Sequence, residues 1–259
     1  MSDIQAFILG LIQGITEFLP ISSTGHLYLG RHLFGLDEAG LFLDTMLHFG
    51  TLIAIIVFYK DEILSIIRRP FSKLTLLLIV GTIPAVVFGL LFQDFFDAIS
   101  KSGITIGWEF LITGVMMWYG ESIKKGFKKM DQITVPDAFI IGCFQATAIF
   151  PAISRSGSTI FASLIRKLDR ETAAYFSFLL STPAVAGAVT LQCKDLFETN
   201  SHQVTLLPLL IATLSSAFFG YLAIRWMIQF VKKKSLKIFA IYVWALGILI
   251  LIAQWTGVF

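Results

Sequence analysis

Apolar positions run along this chain in long blocks broken by short polar turns, and the lengths of the blocks differ in an informative way. Leu41–Tyr59, Leu74–Gln93, Ile104–Glu121, Thr172–Leu191, Val204–Met227 and Ile238–Trp255 each come close to the roughly 20 apolar residues that cross a bilayer as a helix. Ile4–Leu19 is shorter, and Ile21–Gly35 behind it carries His26, Arg31 and His32, too polar to cross lipid alone. Val135–Phe150 and Ile153–Leu168 form a second such pair, broken at Pro151. Each pair is read as a re-entrant hairpin that enters and leaves on one side, since broken backbone at membrane depth survives only inside protein or around a wet cavity. The expected fold is all-α and polytopic: six transmembrane helices plus two re-entrant helix pairs.

Composition agrees with a membrane solvent. The chain is 56% hydrophobic with a mean hydropathy of +0.80, far from soluble domains. Its net charge of +3 matters only once it is mapped onto the loops. With sides alternating through six crossings, Lys60, Arg68, Arg69, Lys73, Lys124, Lys125, Lys128, Lys129, Arg166, Lys167, Arg170, Lys232, Lys233, Lys234 and Lys237 share one face. Arg31, Lys101 and Lys194 fall on the other. The rich face is then cytoplasmic and both termini lie outside the cytoplasm. One pair plus three crossings, repeated, makes the second repeat inverted, with halves of about 1–121 and 135–257 in a single domain spanning 1–259. Inverted repeats of this kind place a site near the midplane. Cys143 and Cys193 lie in or beside apolar segments and read as free thiols rather than a disulfide or a zinc site. The N-terminus lacks the basic region of a cleavable signal peptide.

The chemistry concentrates in two related turns, Gln13–Gly14–Ile15–Thr16–Glu17–Phe18–Leu19–Pro20–Ile21–Ser22–Ser23–Thr24–Gly25–His26 and Gln145–Ala146–Thr147–Ala148–Ile149–Phe150–Pro151–Ala152–Ile153–Ser154–Arg155–Ser156–Gly157–Ser158–Thr159. Each runs from Gln through a short apolar helix to Pro and then to a hydroxyl-rich step ending in Gly. Intramembrane ionisable groups such as Glu17 and Arg155 are costly and mark function. Ser22, Ser23, Thr24 and Gly25, with Ser154, Ser156, Gly157 and Thr159, read as an anion cradle, because helix N-termini present free N–H groups to phosphate. Serine is also an ordinary helix N-cap, which accounts for some of these hydroxyls and not for Arg155. A guanidinium fork suits phosphate oxygens; its structural alternative is an internal salt bridge with Glu17, and the two are compatible if substrate displaces the pair. His26 is a candidate acid–base or phosphate-contact group; Gln13, Gln145 and His48 are secondary, His32 carries a weaker case, and His202, in a loop, is assigned no role. There is no phosphate-binding loop of nucleotide enzymes and no His/Cys spacing for zinc. A divalent cation (Mg²⁺ or Ca²⁺) is expected to be held jointly by Glu17 and substrate phosphates.

The stretches Q-G-I-T-E-F-L-P-I-S-S-T-G-H and F-P-A-I-S-R-S-G-S-T resemble the paired signatures of the undecaprenyl pyrophosphate phosphatases of the bacitracin-resistance type. The likeness extends to Ile141–Gln145, Phe176–Leu180 and Phe239–Tyr242. Two positions depart from the family pattern: Ala152 stands where it has Gly, and Tyr175 where relatives carry Glu. The resemblance implies an integral enzyme of the bacterial cytoplasmic membrane that removes the terminal phosphate of a C55 polyprenyl pyrophosphate, so that the carrier lipid returns to peptidoglycan synthesis. Its expected partners are that lipid and the bilayer, with no nucleic acid; a homodimer is compatible with it. In the mechanism expected here Arg155 and the two helix N-termini clamp the diphosphate, Ser23 is the nucleophile, Glu17 is base or metal ligand, and His26 donates a proton. Direct attack by water and exchanged roles for Glu17 and His26 are alternatives. A polyprenyl-phosphate flippase with the same cradle is the rival reading; phosphate release separates the two.

Overall fold

The structure, a computed structural model, describes residues 1–36, 40–92, 95, 96, 99, 102–123, 125–199 and 206–257, without the side chains of 40, 41 and 191–199. Lys101, Lys124, His202 and the side chains of Cys193 and Lys194 therefore lie outside the described residues. Eleven α-helices are described, with one 3₁₀ turn at Met130–Gln132: α1 (Asp3–Phe18), α2 (Ser23–Leu33), α3 (Gly40–Phe58), α4 (Lys60–Arg68), α5 (Lys73–Leu91), α6 (Ile106–Ser122), α7 (Val135–Thr147), α8 (Arg155–Ile165), α9 (Arg170–Thr199), α10 (Leu206–Lys233) and α11 (Lys237–Trp255). Among the described residues the only β pairing is an isolated bridge between Lys128 and Leu168.

Local chemistry sets the helix ends. Ser2 and Gln5 close a capping box on α1, with Ser2 N donating to Gln5 Oε1 at 2.8 Å. Pro20 disfavours helical backbone at the residue before it, and Leu19 is extended at φ −78° and ψ 145°. Thr134 caps α7 in the same box arrangement with Asp137. Two expected loops are helical instead. The basic stretch after Tyr59 forms α4, which bends by 81° from the preceding helix and buries none of its residues. Lys194, Asp195 and Glu198 fall within α9 rather than in a loop, because no Gly or Pro stands between Gly187 and Thr199 to stop the helix.

α5, α10, α11 and the Arg170–Thr190 part of α9 are long and apolar enough to cross a membrane, and α3 with α4 makes a fifth span if the bent pair is counted. Outward-facing Ile79, Ile83, Val86 and Leu90 on α5, and Ile241, Ile248 and Ile252 on α11, give these helices an apolar surface suited to lipid. Inside, small residues and hydroxyls join the helices, as expected where lipid removes the hydrophobic drive for association. Gly14 of α1 lets α10 approach until an added Cβ would lie 2.7 Å from Ser216 O, and Gly142 of α7 sits directly on the backbone of Gly81 in α5. Ser215 Oγ donates to Phe7 O at 2.9 Å and Ser216 Oγ to Leu47 O at 2.7 Å, tying α10 to α1 and α3.

Ion pairs gather the basic loops at one end. Asp137 accepts from Lys128 Nζ at 2.8 Å and from Arg166 Nε at 2.7 Å. Burial alone would raise its carboxyl, but hydrogen bonds from Lys128, Thr134 and Arg166 bring it down to about 2. Glu121 takes Arg170 at 3.0 Å and the Leu236 backbone N at 2.9 Å, and Lys129 meets Asp169 at 2.6 Å. At the opposite end Arg31 pairs with Asp44, and Gln254 donates to Gly103 O at 3.0 Å. Tyr175 donates to Glu62, near the basic end and away from the two turns.

Candidate active site

The two polar turns meet. Ser22 Oγ donates to Pro151 O at 2.9 Å, and Ser156 Oγ donates to Leu19 O at 2.9 Å, so each turn is fixed by a hydroxyl of the other. The sequence anticipates the join through its internal echo: one spacing separates Gln13 from Gln145, Leu19 from Pro151, Ser22 from Ser154 and Gly25 from Gly157. Ser22 and Ser154 are the N-caps of α2 and α8, accepting from Gly25 N at 3.3 Å and Gly157 N at 3.1 Å. Ser156 spends its hydroxyl on the opposite turn, whereas capping accounts for Ser22 and Ser154. It leaves the first-turn N–H groups of Ser23, Thr24, Arg155 and Ser156 without a protein partner among the described residues. Two positive helix ends therefore face one small volume.

Glu17 is the centre of that volume. Its Oε2 accepts from Gln13 Nε2 at 3.0 Å and from Ser23 Oγ at 2.5 Å, and its Oε1 pairs with Arg155. The internal salt bridge left open by the sequence is formed. Arg155 keeps 19% of its side chain exposed against 4% for Glu17, so the guanidinium is the member of the pair that an entering anion reaches. His48 lies within electrostatic range of Glu17 from α3. Gln13 and Gln145 each bury an Oε1 with no partner among the described residues, while Gln145 Nε2 donates to Gly81 O at 3.3 Å. Thr24 is half-buried, and Thr159 lies one turn into α8, sharing a 2.5 Å hydrogen bond with Ser177.

Ser22 has φ +66°, one of two positive values at residues other than glycine among those described. Such backbone is strained for an L-residue and collects at functional sites. Here its carbonyl accepts from both His26 N at 3.3 Å and His26 Nδ1 at 2.6 Å. A carbonyl only accepts, so Nδ1 carries the ring proton and Nε2 of the neutral ring presents a lone pair. In that neutral state Tyr242 OH, 2.8 Å from Nε2, donates to it. Neutral His26 is thus held as an acceptor, and acting as proton donor requires it first to gain a proton.

Three polar contacts from α6 were not legible in the sequence: Glu109 Oε2 accepts from Ala152 N at 2.5 Å, Thr113 Oγ1 accepts from Ser154 N at 3.1 Å, and Thr113 Oγ1 donates to Ala152 O at 3.3 Å. The available signal was a lone acid inside an apolar run. Among the described residues no three His, Cys, Asp or Glu side chains cluster as a metal cage.

The bacitracin resistance protein BacA family model matches residues 6–249. The chain belongs to this family. It is 68% identical over its full length, and that of the relative, to undecaprenyl-diphosphatase 4 of Bacillus cereus (strain ZK / E33L). It is 46% identical to the undecaprenyl-diphosphatase of Carboxydothermus hydrogenoformans and 41% identical to that of Halothermothrix orenii, again over the whole of both chains. In this BacA-family chain both turns, α6 and the part of α11 from Lys237 to Leu249, which includes Tyr242, lie within the matched region.

Proposed function

We propose that this chain is an undecaprenyl-diphosphatase that removes the terminal phosphate of a polyprenyl diphosphate at the junction of the two turns. The observation that carries the reading is the meeting of two helix N-termini, with free N–H groups and Arg155, over a carboxylate that holds a serine hydroxyl at 2.5 Å. N–H groups and a guanidinium suit a diphosphate, and Ser23 with Glu17 supplies a nucleophile and its base. Diphosphate oxygens displace Arg155 from Glu17 and take its fork. Ser23 Oγ then attacks the terminal phosphorus as its proton passes to Glu17. The bridging P–O bond breaks and the prenyl monophosphate leaves with the bridging oxygen. Water next attacks the phosphoserine, the Ser23 O–P bond breaks, and inorganic phosphate departs as Ser23 regains a proton. Fixed donors aimed at the phosphoryl oxygens supply most of the rate in such transfers. The flippase alternative finds no support, since the relatives named above all carry diphosphatase names.

The residues fit a hard divalent cation in a limited way. Glu17 and Gln13 Oε1, which has no partner among the described residues, would offer oxygen donors, and the remaining ligands would come from substrate phosphates and water. Such a cation supplies charge neutralisation of the phosphoryl group. The test is phosphate release from a prenyl diphosphate by protein purified in detergent, with and without chelator. Release that falls sharply with chelator and returns with Mg²⁺ or Ca²⁺ is expected; release unaffected by chelator removes the metal, and no release at all defeats the reading.

The architecture proposed around the site is an inverted repeat of a re-entrant pair and three crossings in the bacterial cytoplasmic membrane. Its support is reciprocal packing, α1 on α10 answering α7 on α5, and the position of the pair ends. Asp137 near the start of α7 binds Arg166 at the end of α8 at the basic end, whereas Arg31 of α2 pairs with Asp44 at the other. With the basic end cytoplasmic, both termini lie outside. Gly126 packs directly on the Leu168 carbonyl, so a reporter cysteine belongs at Phe127, which is 71% exposed. In a chain otherwise free of cysteine, Phe127→Cys is expected to resist an impermeant thiol reagent in intact cells and to react after lysis; labelling from outside would reverse the topology.

A further inference from the structure

Glu109 is a buried carboxyl that the mechanism above does not use, 3% exposed in the first turn of α6. A group of that kind is expensive in a membrane protein and calls for a physical explanation. Its Oε2 accepts from Ala152 N at 2.5 Å, and the Thr105 hydroxyl lies near the carboxyl one turn back. One turn further along the same face, Thr113 Oγ1 accepts from Ser154 N at 3.1 Å and donates to Ala152 O at 3.3 Å. The two side chains together take every hydrogen-bonding group of the Ala152 backbone and the N–H of the α8 N-cap. Phe110, between them, meets the ring of His26 edge-on at 5.4 Å and closes over Gly25. Helix α6 is therefore a template against which both turns are set.

We propose that Glu109 is a positioning residue of the phosphate cradle, acting through the Ala152 and Ser154 backbone to aim the first-turn N–H groups of α8 and the Arg155 side chain at the diphosphate. The turn after Pro151 has no regular secondary structure to hold it, and Ala152 N is a buried donor that would otherwise lack a partner. Without Glu109 that donor is stranded and the turn is free to shift. A misplacement of the cradle by about 1 Å is enough to cost on the order of 100-fold in rate. What the position requires is an oxygen acceptor at Oε2. A glutamine supplies one; a leucine of similar size does not.

This inference rests on the proposed diphosphatase reading, and its experiment keeps the two apart. Glu109→Gln, Glu109→Leu and Thr113→Val are purified, and kcat, KM and the inhibition constant for inorganic pyrophosphate are measured with a short prenyl diphosphate. Binding of inorganic pyrophosphate is measured in parallel by calorimetry. Glu109→Gln is expected within about 3-fold of wild type in kcat. Glu109→Leu is expected to lose about 10- to 100-fold in kcat and to bind pyrophosphate about 10-fold more weakly, and Thr113→Val to change both in the same direction. Wild-type kcat and pyrophosphate affinity in Glu109→Leu would overturn the proposal. So would a Glu109→Gln protein as impaired as Glu109→Leu, because the group would then act by charge or proton and not by holding backbone. If Glu109→Leu fails to fold, Thr113→Val decides: unchanged pyrophosphate binding overturns the proposal. A wild-type protein that binds pyrophosphate but releases no phosphate would refute the diphosphatase reading, and the calorimetric comparison would still judge the role of Glu109.

Discussion

Replacing Glu17 by glutamine is expected to lower phosphate release by about 10²- to 10⁴-fold, the usual contribution of a general base, with little loss of folded protein. The amide keeps the shape and offers one oxygen to Ser23 Oγ or Arg155, but it cannot take the Ser23 proton. Ser23 Oγ sits 2.5 Å from Glu17 Oε2 and has no other partner among the described residues. Ser23→Ala should therefore fall to the same level, and combining it with Glu17→Gln should lower the rate little further, because residues that act as one unit are strongly non-additive. Steady-state phosphate release from the two single variants and the double variant measures this. Full multiplication of the two losses would show that Glu17 and Ser23 serve separate steps, and a Ser23→Ala enzyme near wild-type rate would make water the nucleophile.

Arg155→Lys is expected to lower the rate by about 10²-fold, and Arg155→Ala by about 10³-fold, the range measured when transition-state donors to phosphoryl or acyl oxygens are removed. An ammonium restores the charge but lacks the planar fork. The two variants separate shape from charge, since a purely electrostatic role would leave the lysine variant near wild type. Stability should respond differently. In the absence of substrate Arg155 neutralises Glu17, which is only 4% exposed, so Arg155→Ala strands a buried carboxylate at a cost of roughly 3–5 kcal/mol. Melting temperature and detergent-extracted yield, read beside phosphate release, distinguish lost clamping from lost folding.

The sequence displayed the parts of this site more clearly than their arrangement. Glu17, Ser23 and Arg155 stood out because ionisable and hydroxyl groups in apolar runs are rare, and the echo between the two stretches announced that they belong together. It could not show that Ser22, Ser154 and Ser156 spend their hydroxyls on caps and on the opposite turn, since a cap and a ligand have the same composition. Glu109 and Thr113 were hidden for another reason: their partners are backbone groups of a turn far along the chain, and no side-chain pattern records a backbone contact. Tyr242 sits among apolar residues of α11, where its hydroxyl pairs with His26 from a helix in the other half of the chain. In the fold, hydropathy located α5, α9, α10 and α11 as spanning stretches, and α3 if it is counted with α4, whereas α6 over the expected Ile104–Glu121 crossing is not among the helices long and apolar enough to span. It also missed α4, whose polar face disguised a helix as a loop, and stopped α9 early at the first charged residues.

One measurement bears most directly on the claim that these two turns form a single phosphate-cleaving site: phosphate release by the purified double variant Glu17→Leu with Arg155→Met. Removing both charges together leaves no stranded ion, so the protein should extract and melt at least as well as wild type. It should release phosphate from a prenyl diphosphate only at background rate. A stable double variant that hydrolyses at a near-normal rate would contradict the account, because the Glu17–Arg155 pair would then be a structural tie and the chemistry would lie elsewhere.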